Sequence, residues 1–423
     1  MGRRHFLALA CIAVALCPLT AAAEETIKIG FPMPLSGPTA VYGVPITKGA
    51  EMAVADINAK GGVLGRKFEL LTRDSKANAD EAVRLARELI IKNNVEFLSG
   101  TLTSAEAPAV STIAKENKIV FVAPTAKTML LTAPQNLHPY IFRIASNTLI
   151  EGRTGAAILA KWQDVKKVAT IAPDYAYGRD AVAAFIEYIK KLRPDIEIVD
   201  QQWPKLGEPD FTAFITAQMG KKPDAVFCDV FGGDFVSFTK QATPLGYFKA
   251  IQSRLVDGGE VGTVDEAQAL GADYPYGIWS DAYDPVVWGD GESEEHKAYV
   301  QHLKTAMKAD YGSGWAIVGY QSIVAIAEAV KKAGGKYPAD QMTEGWIAGM
   351  VVEAALKGAG PAATPAKVQA SMENLKVDLK GLRGGPIEWT KDNHFRTRQY
   401  YRVYRWDGSK IALVKDWFSY DVK

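Results

Sequence analysis

Several small groups of polar and aromatic residues fall just beyond apolar runs, the positions from which a parallel sheet reaches a ligand. Thr101, Thr103 and Ser104 follow the run at 95–99 and open a helical pattern, and Thr125 and Lys127 follow the run at 119–123. Hydroxyls and free N–H groups at a helix start suit a carboxylate or similar anion, because the donors and the helix dipole point the same way. Ser104 can equally be an ordinary helix N-cap. Lys127 can be a solvated surface lysine, or it can face the same cleft and pair with an anion. Farther along, Asp174, Tyr175 and Tyr177 follow a run ending at Ala172, Phe231 follows 225–230, and Glu260 follows 251–256. Taken singly, each suits packing or solvated surface. Their common place at strand ends marks them as a candidate binding set.

Catalytic and metal patterns are missing from the sequence. The histidines after His5 (His138, His296, His302, His394) are scattered, and His296 and His302 lack the one-face spacing of a helical metal pair. There is no Gly-x-Ser-x-Gly elbow and no Gly-x4-Gly-Lys-Ser/Thr phosphate loop. Cys228 sits in an apolar strand and reads as an inert buried thiol. The pairs Gly61-Gly62 and Gly258-Gly259 read as turns. The expectation is therefore a binding protein with no catalytic residue, no metal and no cofactor. The alternative from another class is an exported α/β hydrolase, which needs a positioned nucleophile and base.

The elements that must position these residues alternate between strand and helix. Residues 27–31 read as a buried strand, Pro32, Pro34, Gly37 and Pro38 after it as an exposed loop that also carries Ser36 and Tyr42, and Ile46, Ala50, Ala53 and Ile57 as the apolar stripe of a helix. Further strands are expected at 68–74, 95–99, 119–123 and 140–144. Between them run a helix capped by Asn78 with Glu81 and another over 104–117. The pattern then restarts, with strands at 167–172, 196–202, 225–230 and 251–256 and helices near 151–162, 179–192, 211–219 and 235–242. Such alternation makes parallel sheets covered on both faces, and two blocks of similar size suggest two lobes. Helices near 294–311, 315–332, 344–356 and 367–374 follow. They are expected to return and complete the first lobe. Strands at 387–389, 400–406 and 411–417 would form antiparallel hairpins turning at Asp407-Gly408.

A chain of 423 residues has room for two domains, and 48% apolar with 23% charged residues is a globular composition. Arg3 and Arg4, an apolar run at 6–16 and Ala21-Ala22-Ala23 form the pattern of a cleavable secretory signal, cut after Ala23. Its removal leaves 47 basic against 48 acidic residues, a net charge of −1, with no footprint for nucleic acid or an anionic membrane. Only Cys228 then remains, so no internal disulfide is available, and no later run reaches membrane-spanning length. The expected product is exported, with no membrane insertion after signal cleavage.

The stretches IKIGFPMPLSGPTAVYG, GAEMAVADINAKGG, SGTLTSAEAPA, APTAKT and PDYAYGRD resemble the periplasmic solute-binding proteins of ABC transporters, specifically the leucine/isoleucine/valine-binding family, over nearly the whole mature chain. The resemblance implies an α/β fold of two flavodoxin-like lobes, the type I periplasmic binding architecture, joined by three crossovers. Its expected division is signal peptide at 1–23, N-terminal lobe at 24–144 and 279–385, and C-terminal lobe at 145–278 and 386–423. It implies a periplasmic protein that buries an amino acid of branched-chain type, or a related carboxylate, between the lobes and delivers it to an ABC permease. Carried over by motif, Tyr42 would cover the ligand, while Thr103, Ser104 and Thr125 with backbone N–H groups would hold its carboxylate. Tyr177 and Phe231 would close from the second lobe, Glu260 would meet the ammonium, and Trp315 would be an aromatic wall. Lys127 stands where branched-chain binders usually carry a small hydroxyl residue, Phe231 lacks a phenol hydroxyl, and the cysteine pair of some relatives is missing. Lys127 and Trp315 point toward an aromatic or other non-amino carboxylate, and Glu260 toward an α-amino acid. A periplasmic ligand sensor is a further use of the same fold.

Overall fold

Short apolar runs buried on both faces become parallel strands, and each intervening amphipathic pattern becomes a covering helix. The computed structural model describes residues 26–284, 286 and 292–332, together with the backbone at 376–377, 387–388, 398–406 and 411–421. The first block runs β1 (Ile27–Met33), α1 (Ala40–Ala59), β2 (Phe68–Asp74), α2 (Ala79–Ile91), β3 (Phe97–Ser99), α3 (Glu106–Asn117), β4 (Val120–Ala123) and β5 (Ile141–Arg143). Its five strands pair in parallel in the order β2-β1-β3-β4-β5. Ile27, Ile29, Phe31 and Met33 of β1 are wholly buried between the helical layers.

The second block runs α4 (Thr148–Leu159), β6 (Lys167–Ile171), α5 (Ala176–Leu192), β7 (Glu197–Gln202), α6 (Thr212–Gly220), β8 (Ala225–Cys228), α7 (Gly232–Ala242), α8 (Tyr247–Ala250), β9 (Leu255–Asp257), α9 (Val264–Leu270) and β10 (Trp279–Ser280). Its order β10-β9-β8-β6-β7 is the same winding met from the other edge. Each sheet thus reverses direction beside its first strand, at β1/β3 and at β6/β8, where α/β proteins open a ligand crevice at the strand carboxyl ends.

The chain then returns to the first lobe through α10 (Glu294–Met307) and α11 (Ala316–Lys332). Helix α11 lies so close to α1 that a Cβ on Gly49 would stand 1.8 Å from the Ala316 carbonyl oxygen, and one on Gly319 would stand 1.9 Å from that of Ile46. Asp56 of α1 takes a hydrogen bond from the Tyr320 hydroxyl at 3.0 Å and lies 2.9 Å from His302 Nε2.

Four sequence expectations need correction. Tyr42 is on helix α1, which begins at Ala40 and runs through Pro45, rather than in the loop before it. Residues 251–254 are not strand: α8 and a turn with left-handed Gln252 (φ 52°) and Ser253 (φ 57°) come first, and β9 starts at Leu255. Apolar Ile251 is buried because it closes that helical turn, which an apolar run cannot distinguish from a strand. Trp279 and Ser280 pair with β9, so the chain leaves the second sheet after Ser280 instead of at 278. At the C-terminal end β11 (Lys376–Val377) pairs antiparallel with β12 (Ile387–Glu388), and β13 (Arg398–Trp406) with β14 (Ile411–Asp421), so the strand at 387 does not join the hairpin. The expected helices at 344–356 and 367–374, the turn at Asp407-Gly408 and the third crossover lie outside the described residues, as does the signal segment.

Candidate functional site

The carboxyl ends of both sheets face one cleft of about 330 Å³. The first lobe contributes Tyr42, Leu102, Ser104, Thr125 and Lys127, and the second contributes Tyr175, Tyr177, Phe231, Gly259 and Glu260; Tyr283 and Trp315 come from the returning chain. Eight of the nine residues expected from sequence are therefore brought together, since the lining includes all of them except Thr103.

Thr103 is the correction. Its backbone N–H donates to Glu106 Oε2 at 2.9 Å while the Glu106 N–H donates to Thr103 Oγ1 at 3.1 Å, the reciprocal pattern of a capping box, and the Thr103 hydroxyl adds a bond to Glu106 Oε2 at 2.8 Å. The capping role considered for Ser104 thus belongs to its neighbour. Ser104 Oγ instead accepts from the Lys127 N–H at 3.3 Å and the Thr128 N–H at 3.0 Å, pinning the loop after β4. With both lone pairs so used, its proton is the group left to donate. Thr125 is the reverse. Its hydroxyl donates to the Thr101 and Leu102 carbonyls, both at 3.1 Å, so it reaches the cleft with its proton already spent.

Aromatic rings form the wall. Tyr42 stacks on Trp315 with centroids 3.8 Å apart, lies 6.0 Å from Phe231, and Phe231 meets Tyr177 edge-on at 5.5 Å. Trp315 is 3% exposed, and its indole N–H finds no acceptor among the described residues. Tyr42 ties the lobes together: its hydroxyl accepts from the Gly232 N–H at 2.8 Å and donates to the Gly259 carbonyl at 3.4 Å. Burial, with Glu266 nearby, holds its phenol well above the ordinary range. A further bond crosses between lobes, from the Thr128 hydroxyl to Asp180 Oδ2 at 2.6 Å.

The charged floor of the cleft is Lys127, 2% exposed and contacting both Glu151 and Glu260 through Nζ. Glu260 holds a left-handed backbone (φ 54°) unusual for a side-chain-bearing residue, which aims its buried carboxylate inward. Carboxylate oxygens of Glu151, Glu260 and Asp281 lie within 4.8 Å of one another, a spacing that could hold a cation, and the Lys127 ammonium contacts two of the three. Burial pushes Glu151 up against the pull of Lys127, and raises Asp281, Asp229 and Asp257 as well. Burial also brings Arg143 down to about 10.

Sequence reasoning passed over Glu151, Asp281 and Tyr283. Glu151 looks like an acid placed for the helix dipole in the first turn of α4, and the other two lie in a stretch without periodicity. One Ser–His pair does form, Ser111 Oγ to His138 Nε2 at 2.8 Å. His138 Nδ1 accepts the Tyr140 N–H at 3.2 Å, so Nε2 carries the proton and donates to Ser111. Such a pair cannot deprotonate the serine.

The periplasmic binding protein family model matches residues 26–344. The chain belongs to that family. Relatives of this periplasmic binding protein include the leucine-specific-binding protein of Salmonella typhimurium, 25% identical over 381 residues that cover 90% of this chain and 95% of the other. The Leu/Ile/Val-binding protein BraC3 of Rhizobium johnstonii is 28% identical over 328 residues, 77% of this chain and 84% of that one. Among solved structures, an ABC-transporter solute-binding protein of Rhodopseudomonas palustris BisB5, in complex with 3,4-dihydroxybenzoic acid, superposes with a TM-score of 0.67 at 25% identity, over 94% of this chain and 98% of that one. The branched-chain amino acid binding protein of Streptococcus pneumoniae, in complex with isoleucine, shares the fold with a TM-score of 0.70 at 23% identity, over 92% of this chain and all of that one. The type I periplasmic binding fold of two parallel-sheet lobes is thereby established. No helix among the described residues is long and apolar enough to cross a membrane.

Proposed function

We propose that this protein captures a small carboxylate-bearing solute between its lobes, outside the cytoplasmic membrane, and hands it to an ABC permease without chemical change. The observation that carries the reading is a single cleft lined by strand-end residues of both lobes, with two buried donors, the Ser104 hydroxyl and the Trp315 indole N–H, available to an acceptor. A ligand touching both lobes stabilises the closed form by its differential affinity, and enclosure strengthens each polar contact by removing water. The relatives supply two solute classes, branched-chain amino acids and aromatic carboxylates. The basic start, apolar run and alanine triplet at residues 1–23 support export through a cleavable signal. The test is a thermal-shift screen of amino acids and aromatic acids. A ligand at one hundred times its Kd stabilises the folded protein by about 2.7 kcal/mol, a readily measured shift. A panel in which every member leaves the melting point unchanged, or purified protein that turns its ligand over, refutes the reading.

A second reading within the same fold is favoured by the Tyr42–Trp315 stack with Phe231 and Tyr177 beside it. Such a wall suits a flat ring better than a branched aliphatic chain, since aromatic pairs gain from offset and edge-on packing.

A further inference from the structure

The acid that faces the cleft already has a cation. Lys127 leaves the first lobe after β4 and its Nζ contacts Oε1 of Glu260 and Oε1 of Glu151, both in the second block. All three side chains are nearly inaccessible, at 3%, 5% and 1% respectively. The Tyr283 ring lies over the same ammonium at 5.1 Å from its centroid. An ammonium has three donors; here two carboxylates and an aromatic face surround it, which satisfies a cation on several sides at once. A zwitterionic amino acid directing its own ammonium to Glu260 would bring a second positive charge beside Nζ in a site with little water to screen it. Two donors of the cleft, Ser104 O–H and Trp315 Nε1–H, call for an acceptor instead.

Building on the proposed function, we infer that Lys127 is the resident counter-ion of Glu260 and stands where a ligand ammonium would otherwise sit, so that the cleft selects carboxylates carrying no α-amino group. The carboxylate meets the Ser104 and Trp315 donors, and the apolar body lies against Tyr42, Phe231 and Tyr177. The selection is steric and electrostatic together: the lysine fills the space, and it neutralises the acid that would have recognised the zwitterion.

The experiment is calorimetry with pairs that differ only in the amino group: 4-methylpentanoate against leucine, and 3-phenylpropanoate against phenylalanine. The wild-type protein should bind at least one of the deaminated acids tenfold or more tighter than its amino acid partner. Lys127→Met, checked for cooperative melting, leaves Glu260 without a cation and should reverse that preference. Lys127→Met combined with Glu260→Gln removes both charges and should abolish the reversal. Wild-type protein that prefers the amino acid member of each pair overturns the inference alone and leaves the capture function standing, and this arm needs no variant to fold. Binding of neither class by the wild-type protein overturns the inference and the function beneath it.

Discussion

Tyr42→Phe isolates the contribution of one hydroxyl to lobe closure. The phenol sits on α1 in the first lobe, wholly buried, and both of its backbone partners, the Gly232 N–H and the Gly259 carbonyl, belong to the second. Phenylalanine keeps the ring and its stack on Trp315, so packing is conserved and only the bridging oxygen is lost. In the closed form the Gly232 N–H then has no phenol to bond, whereas in an open form water would satisfy it. Leaving a buried polar group unsatisfied costs about 1–3 kcal/mol, and each 1.4 kcal/mol is a factor of ten. The closed-to-open ratio should therefore fall by roughly 5- to 150-fold. Spin labels on Lys92→Cys in the first lobe and Lys191→Cys in the second, both exposed positions, report the distance between lobes by electron double resonance. Cys228 is buried, with a thiol raised well above its usual range, and stays unlabelled. An unchanged distance distribution, with ligand affinity unchanged as well, would refute the idea that Tyr42 latches the lobes.

Three further outcomes follow from the same geometry. Ser104→Ala leaves the buried Lys127 and Thr128 N–H groups without their acceptor, and calorimetric melting should show a loss of about 1–3 kcal/mol. A variant as stable as the parent would mean that the loop after β4 is held by other contacts. Gly319→Ala sets a methyl against the Ile46 carbonyl and forces α11 off α1, an overpacking change costing about 1–3 kcal/mol in denaturant unfolding; an unchanged midpoint would contradict that packing. The third concerns pH. Burial lifts Glu266 to about 8 in the folded chain, against about 4.3 when unfolded. Around it, Asp265 adds to the rise, while the Thr263 and Tyr42 hydroxyls oppose it. Between these values the folded chain binds more protons than the unfolded one. The stabilisation is thus full below about pH 4.3, shrinks as the pH climbs and is lost above about 8. Melting temperatures measured from pH 5.5 to 8.5 should fall, and Glu266→Gln should flatten the decline; a parent profile that rises over this range contradicts the assignment.

Most of the scaffold could be read in the sequence because a strand buried on both faces leaves a short apolar run and a helix buried on one leaves a period of 3.6. The strand at Val120–Ala123, buried throughout, and the Asn78 cap with its bond from the Glu81 N–H are of this kind. Ile251 shows the limit, since apolar burial alone does not separate a helical turn from a strand. The cleft was legible to the extent that strand order fixes which loops meet. Hydrogen-bond direction was not, because Ser104 and Thr125 look alike in sequence yet one keeps its proton and the other spends it on Thr101 and Leu102. The Lys127–Glu151–Glu260 group was hidden for a related reason: three charges separated by tens of residues carry no local signal that they will be buried together.

The central claim, one small carboxylate enclosed by both lobes, is tested most directly by calorimetry on a matched pair of single-lobe variants. Trp315→Phe removes the buried donor beside the first lobe, and Phe231→Ala removes a ring from the second. The account predicts one-to-one saturable binding of a carboxylate by the parent protein, and weakening of that same ligand by about tenfold or more in each variant, on the scale of a lost hydrogen bond or aromatic contact. A ligand that loses affinity in only one of the two variants, or a parent protein that gives no saturable heat with any member of the panel, would contradict it.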